Sequence, residues 1–166
     1  MNTAYIKALD IDVASLSAGA VMNLDDSILY TILNGSVKEY IVSSTFKKIK
    51  NGMFFDCKEL ENITLHNNIS EIGDYAFCDC VSLIKILLPE KTTKIGKHAF
   101  KNCISLTDLY LKGSALNFNQ NALEGCTNLK NIWVPWNQGD FDESWNIVGA
   151  TMHYRTLYDP NGNPLT

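Results

Sequence analysis

Ile72-Gly73-Asp74-Tyr75-Ala76-Phe77, followed by Cys80 and Leu83, returns 23 positions later as Ile95-Gly96-Lys97-His98-Ala99-Phe100, followed by Cys103 and Leu106. The same step continues on both sides of this pair. Cys57, Cys80, Cys103 and Cys126 form one column, Leu60, Leu83, Leu106 and Leu129 a second, and Phe54, Phe77, Phe100 and Leu123 a third. Ile63, Ile86, Leu109 and Ile132 make a fourth, and Leu65, Leu88, Leu111 and Val134 a fifth. Five columns in one register from Met53 to Val134 mean stacked supersecondary units, the signature of a repeat architecture.

Within each unit the Leu-x-x-Ile-x-Leu run reads as a strand, in which inward Ile63 and Leu65 flank outward Thr64. A second extended piece is expected at Ile69 to Ile72, with Gly73 turning the chain through backbone angles closed to other residues. Residues 74–79 then cross back as a helical turn or irregular bend. Parallel strands stack about 4.8 Å apart, so five coils make a sheet roughly 24 Å long. A single coil cannot bury its apolar face, so stability resides in the interfaces between neighbours.

The unit Ile-Gly-x-x-Ala-Phe-x-x-Cys-x-x-Leu-x-x-Ile-x-Leu-Pro resembles the BspA-like leucine-rich repeat family, and a degenerate copy extends it back to Val37, Tyr40, Val42, Phe46 and Ile49. The expected fold is a β-rich (α+β) leucine-rich-repeat solenoid with a parallel sheet, about five 23-residue coils and a cap at each end. Residues 1–36 are assigned to an N-terminal arm and helical cap, 37–135 to the solenoid, and 136–166 to a C-terminal cap and tail. The resemblance implies an adhesive or protein-binding role without a shared chemistry.

Both ends carry their own signals. Asp25, Asp26 and Ser27 offer N-cap chemistry ahead of Ile28, Leu29, Ile32 and Leu33, and Asn34-Gly35 stops the helix. After Val134 the register breaks. The alternating segment Ala150-Thr151-Met152-His153-Tyr154 reads as a strand that closes the sheet, with Trp145 or Val148 covering the last coil. Val134-Pro135-Trp136, Trp145, and then Gly149-Ala150-Thr151 with His153-Tyr154 look like the closing segment of repeat proteins carried by Firmicutes and their phages.

The 166 residues are 46% apolar and 19% charged, with a formal net charge of -4 and Lys or Arg clustered at Lys47, Lys48 and Lys50. Nucleic acid, which needs a basic face, is not an expected partner. The sequence has no 18-residue apolar run, so no membrane insertion is expected, and the N-terminal stretch lacks the apolar core of an export signal. The resemblance, which extends to phage-encoded proteins, together with the missing export signal implies a virion as the favoured setting, as a phage particle component with residues 1–26 as a homo-oligomerising arm. A bacterial cell-surface adhesin fragment and a cytoplasmic protein-binding scaffold are the alternatives.

The chemistry-bearing residues point away from catalysis. Cys57, Cys80, Cys103 and Cys126 lie on a line, which cannot enclose a metal tetrahedrally, and no CxxC pair supplies a closed site. They read as a ladder of small, buried, reduced thiols. Cys78 is off that column and is expected to be more exposed, where a sensor or crosslinking role would suit it. His66, His98 and His153 fall at unrelated places in the repeat with no nucleophile at a recognisable spacing. Gly73 and Gly96 recur as repeat residues, not as a phosphate-cradling loop. The expectation is no enzyme, no cofactor and no metal.

One column faces outward. Ile41, Thr64, Leu87, Tyr110 and Trp133 sit between the inward pairs, rimmed by Glu39, Asn62, Lys85, Asp108 and Asn131 and ending beside Pro135 and Trp136. An apolar stripe that becomes aromatic within a polar rim is a candidate contact surface for a protein or a surface glycan. Two structural readings stay open beside it: same-face neighbours stabilise the sheet, or the cap folds back over Trp133.

Overall fold

The structure is a computed structural model that describes residues 37–42, 44–113, 117–119, 121–135 and 149–154. The helix expected near residues 25–35, the arm at 1–26, and Trp136, Trp145 and Val148 lie outside the described residues.

Each coil gives one short strand to each of two sheets. The main sheet takes β1 (Glu39–Ile41), β3 (Asn62–Thr64), β5 (Lys85–Leu88), β7 (Asp108–Leu111) and β9 (Asn131–Trp133). The second takes β2 (Lys48–Ile49), β4 (Glu71–Ile72), β6 (Lys94–Ile95) and β8 (Asn117–Phe118). Pairing is parallel and follows the repeat, as in Ile86 with Leu109 and Leu109 with Ile132. The second sheet is an unbroken β2-β4-β6-β8 ladder, while the main sheet divides into β1-β3 and β5-β7-β9-β10. At the division, Ile84 N–H still donates to Glu61 O at 3.2 Å. β10 (Thr151–His153) adds in parallel to β9, so the closing strand lies where its alternation places it. Four coils carry both strands and a fifth contributes β9, slightly fewer complete coils than about five. The described residues contain no helix, and among them none is long and apolar enough to cross a membrane.

The core is a stack of repeated side chains. Phe54, Phe77 and Phe100 are fully buried, and their rings stack at 5.0 and 5.3 Å with interplanar angles of 2° and 3°. Beside them the cysteine column is buried and free of disulfides. Three of its thiols donate to a carbonyl of the preceding coil: Cys80 to Phe54 O at 3.0 Å, Cys103 to Phe77 O at 3.1 Å and Cys126 to Phe100 O at 3.0 Å. A small donor that also fills apolar volume suits this position.

The corners depend on backbone that the repeat pattern conceals. Asp56, Asp79, Asn102 and Gly125 share one column and have φ of 61°, 62°, 59° and 78°. Asp, Asn and Gly are the residue types that tolerate this left-handed region. Gly73 and Gly96 are not in it, contrary to the turning role expected for Gly73. Their constraint is space: a Cβ would lie 2.6 Å from Asn51 N at Gly73 and 2.6 Å from Asp74 N at Gly96. The coils pass so closely there because Asn51 Oδ1 accepts from Asp74 N–H at 2.9 Å and Asp74 Oδ1 from Lys97 N–H at 2.8 Å.

Gly96→Ala is therefore expected to destabilise the chain by about 1–3 kcal/mol through overpacking, and Phe77→Ala by about 3–5 kcal/mol through the gap left in the ring stack. Urea unfolding followed by circular dichroism measures both.

Candidate functional site

Strand alternation sets which side chains leave the main sheet. Tyr40, Ile63, Ile86, Leu109 and Ile132 point into the core or pack against it, so the residues on either side of each point outward. Of the sequence-designated stripe, Ile41 is 63% exposed and Thr64 exposed, while Leu87, Tyr110 and Trp133 are half-buried. The register places Ile41 beside Thr64 on one part of the divided sheet, and Leu87, Tyr110 and Trp133 in succession on the other. Trp136 lies outside the described residues.

The structure adds a residue that the repeat could not supply. β10 pairs His153 with Trp133, and the imidazole stacks on the indole at 3.7 Å with an interplanar angle of 15°. On the other side Tyr110 lies parallel to Trp133, at 5.9 Å and 5°. The closing strand thus covers one face of Trp133 with His153, part of what the cap-over-Trp133 reading anticipates.

A polar rail runs alongside. Asn131 Nδ2 donates to Asp108 Oδ1 at 2.8 Å, Thr107 Oγ1 donates to Asp108 Oδ2 at 2.8 Å, and His153 Nε2 lies 2.9 Å from Asn131 Oδ1. An ionised carboxylate accepts only, so Asn131 must turn its amide nitrogen to Asp108 and its oxygen to His153. His153 therefore donates from Nε2. Burial, and then the Asp108 carboxylate, raise the Tyr110 hydroxyl above its ordinary pKa. Among the described residues Trp133 Nε1 is the one buried side-chain nitrogen or oxygen without a hydrogen-bond partner. Stacking, not hydrogen bonding, sets the place of that ring.

This geometry decides what the aromatic ladder offers. Trp133 has both faces directed along the ladder, toward Tyr110 and toward His153. What turns outward is the edge of the stack, which carries the positive rim of the ring quadrupole. A sugar ring lies flat on an open aromatic face, whereas ring edges suit aliphatic groups, carbonyl oxygens or another aromatic ring approaching in the T-shaped arrangement.

Other clusters appear only in three dimensions. Tyr75 and His98 hold φ of 56° and 54° in the column of Gly52, at 64°, a backbone region that bulky residues seldom occupy. Their rings meet at 5.1 Å. His98 Nδ1 lies 3.0 Å from Glu124 Oε2 and 3.2 Å from Asn121 O, and Lys101 Nζ lies 3.0 Å from Glu124 Oε1. The Lys101 ammonium holds the Glu124 carboxyl below its usual range. Lys48, Glu71 and Lys94 form a similar exposed clasp across three coils. Ile84 and Ile104 are 44% and 45% exposed at the turns before β5 and β7. The repeat hides both, because their columns are otherwise mixed: Glu61, Thr107 and Lys130 for Ile84, and Lys58, Val81 and Thr127 for Ile104.

Cys78 corrects an expectation of exposure: it is only 3% exposed. It sits between Phe55 and Lys101 in its column, both larger, and its thiol donates to Asp79 Oδ2 at 3.3 Å. Burial first, then the Asp79 hydrogen bond and charge, push it from 9.0 to about 12. Since the thiolate is the nucleophile, a sensor role loses its chemical basis. Among the described residues no group of three or more His, Cys, Asp or Glu could hold a metal ion.

An aromatic disulfide reagent at pH 8 is accordingly expected to leave the cysteines of the native chain unmodified and to titrate all five in denaturant. The sign of the pH effect follows from the raised native value of Cys78. Its unfolded thiol ionises near 9 and its native one near 12, so stability falls as pH rises through that window.

Residues 29–145 match the BspA type leucine rich repeat region in six copies. A solved leucine-rich repeat protein from Bacteroides ovatus is similar at 27% identity and a TM-score of 0.58, over 71% of this chain and 30% of that one. A leucine rich cell surface protein from Faecalibacterium prausnitzii matches at 20% identity and 0.51, over 70% of this chain and 36% of that one. The leucine rich repeat protein of T. pallidum matches at 20% and 0.51, over 72% and 74%. This chain thus spans about a third of the length of the first two. No curated protein sequence matches it. The repeat register, the parallel two-sheet coil and the extent of the sequence match lead to one conclusion: the chain belongs to the BspA-type leucine-rich repeat family.

Proposed function

We propose that this chain is a non-enzymatic protein-interaction module that presents the outward face of its main sheet, centred on Tyr110, Trp133 and His153, to a protein partner. The observation that carries the reading is the ring ladder, which offers edges and not open faces. That favours a protein over a surface glycan. Membership of a leucine-rich repeat family supports protein binding in general, and adhesion is the form of it proposed here.

For its setting the proposal keeps the phage particle, supported by the likeness of the closing segment around Trp136, Trp145 and His153 to repeat proteins of Firmicutes and their phages. A bacterial cell surface and a cytoplasmic scaffold are the alternatives. Co-sedimentation with particles in a density gradient, against recovery in the envelope or the cytosol, separates the three. The same proposal keeps residues 1–26 as an assembly arm, tested by the solution mass of the chain with and without them.

The binding face is tested with a random-peptide display library and a glycan array, each against the wild-type chain and Tyr110→Ala/Trp133→Ala. The expected result is peptide capture by the wild type, weakened by at least about 30-fold in the variant, as for loss of central aromatic anchors. The glycan array is expected to stay blank. Stripe-dependent glycan capture would overturn the choice of partner. A variant that fails to fold would make the stripe a structural element of the sheet.

A further inference from the structure

Asn51-Gly52 is the one Asn-Gly pair among the described residues, and such a pair carries a chemistry of its own. With no side chain on the second residue, the Gly52 nitrogen meets little obstruction on its way to Asn51 Cγ. In the folded chain one residue of the next coil holds both reacting groups. Asp74 N–H donates to Asn51 Oδ1 at 2.9 Å, and Asp74 O accepts from Gly52 N–H at 2.8 Å. The main chain of Asp74 thus brackets electrophile and nucleophile together, so that they are released together. Asn51 itself is exposed, within reach of water.

The repeat supplies a comparison. One coil later the same bracket recurs: Lys97 N–H donates to Asp74 Oδ1 at 2.8 Å, and Lys97 O accepts from Tyr75 N–H at 2.9 Å. There it encloses a carboxylate followed by a bulky residue. A carboxylate is a poor electrophile with no ammonia to lose, and the Tyr75 side chain crowds its own nitrogen. The first coil combines the same bracket with a reactive sequence.

We propose that Asn51 is a site of spontaneous deamidation, held closed by the Asp74 bracket and opened when the first coil parts from the second. On opening, the Gly52 nitrogen gives its proton to hydroxide and bonds to Asn51 Cγ. The Cγ–Nδ2 bond breaks, ammonia leaves and a cyclic succinimide remains. Water then opens the ring at either carbonyl. Attack at Cγ breaks the new bond to the Gly52 nitrogen and leaves aspartate. Attack at the Asn51 backbone carbonyl breaks the original peptide bond and leaves isoaspartate, whose main chain is longer by one carbon.

The fold separates these products. Aspartate at position 51 repeats Asp74, whose carboxylate already accepts a main-chain N–H at the equivalent place. Isoaspartate does not fit. Its added carbon falls just after β2, which pairs Ile49 with Ile72, where a Cβ on Gly73 would already lie 2.6 Å from Asn51 N. It pushes the left-handed turn at Gly52, with φ of 64°, out of register with Asp74. Isoaspartate therefore unfastens the first coil, while the Tyr110, Trp133 and His153 ladder in the other part of the divided sheet is untouched.

The test follows the full chain at pH 8 by peptide mapping, with mass spectrometric fragmentation that distinguishes isoaspartate from aspartate. Conversion of Asn51 in the native chain is expected at a rate about 10- to 1000-fold below that in denaturant, as for groups released by local opening. Asn51→Asp is expected to keep the thermal midpoint of the parent, and the purified isoaspartyl form to melt lower. A native rate equal to the denatured one would overturn the bracket, and a rate below that range would overturn the site. An isoaspartyl form that melts with Asn51→Asp would overturn the unfastening of the first coil.

Discussion

The described coils depend on contacts between each coil and the next, most of them joining a residue to the one 23 positions along. Backbone ladders, phenylalanine rings, thiol-to-carbonyl bonds and ion pairs all join a coil to its neighbours. Long-range order here is a sum of nearest-neighbour interfaces, each made from the same side chains. The arrangement demands fidelity in a few columns and leaves the rest free. Phe, Cys, Leu and Ile repeat because each must fit against a copy of itself one strand spacing away. Outward positions carry no such condition, so the sequence there drifts from Ile41 to Trp133.

That freedom is what makes the outward face a candidate for function. The scaffold fixes the spacing between successive outward side chains, and in parallel register like columns stack. Tyr110, Trp133 and His153 become a ladder because β10 continues the sheet after the repeat has ended. The rail of Asp108, Asn131 and His153 then orients the imidazole over the indole. Family membership gives the scaffold, while the contact face comes from residues the family pattern leaves unspecified.

The periodic columns made much of this readable before any coordinates. Inward and outward residues of β5 and β7 and the buried thiols follow from a period of 23 combined with a strand period of two, and the closing strand from its own alternation. What escaped was backbone conformation and anything joining different columns. Cys78 read as exposed because it lies off the apolar columns, yet it is buried, in a column between the larger Phe55 and Lys101 and bonded to Asp79 at the left-handed turn. Gly73 read as a turn residue, whereas it is a point of close approach between coils. The Asp56, Asp79, Asn102 and Gly125 column was visible as residue types, and its tolerance of positive φ was the signal available there. His153 could be placed on a strand but not over Trp133, since the 20-residue offset between β9 and β10 breaks the repeat.

If the coil is the unit of structure, a whole one can be removed. Excision of residues 79–101 deletes 23 positions and joins Cys78 to Asn102 in register, leaving the Tyr110, Trp133 and His153 ladder intact. The account predicts that this shortened chain folds cooperatively, with the same circular dichroism signature and a lower midpoint in thermal unfolding, because one interface of several has been lost. An excised chain that is unfolded, or that melts without cooperativity, would contradict the equivalence of the coils on which the whole description stands.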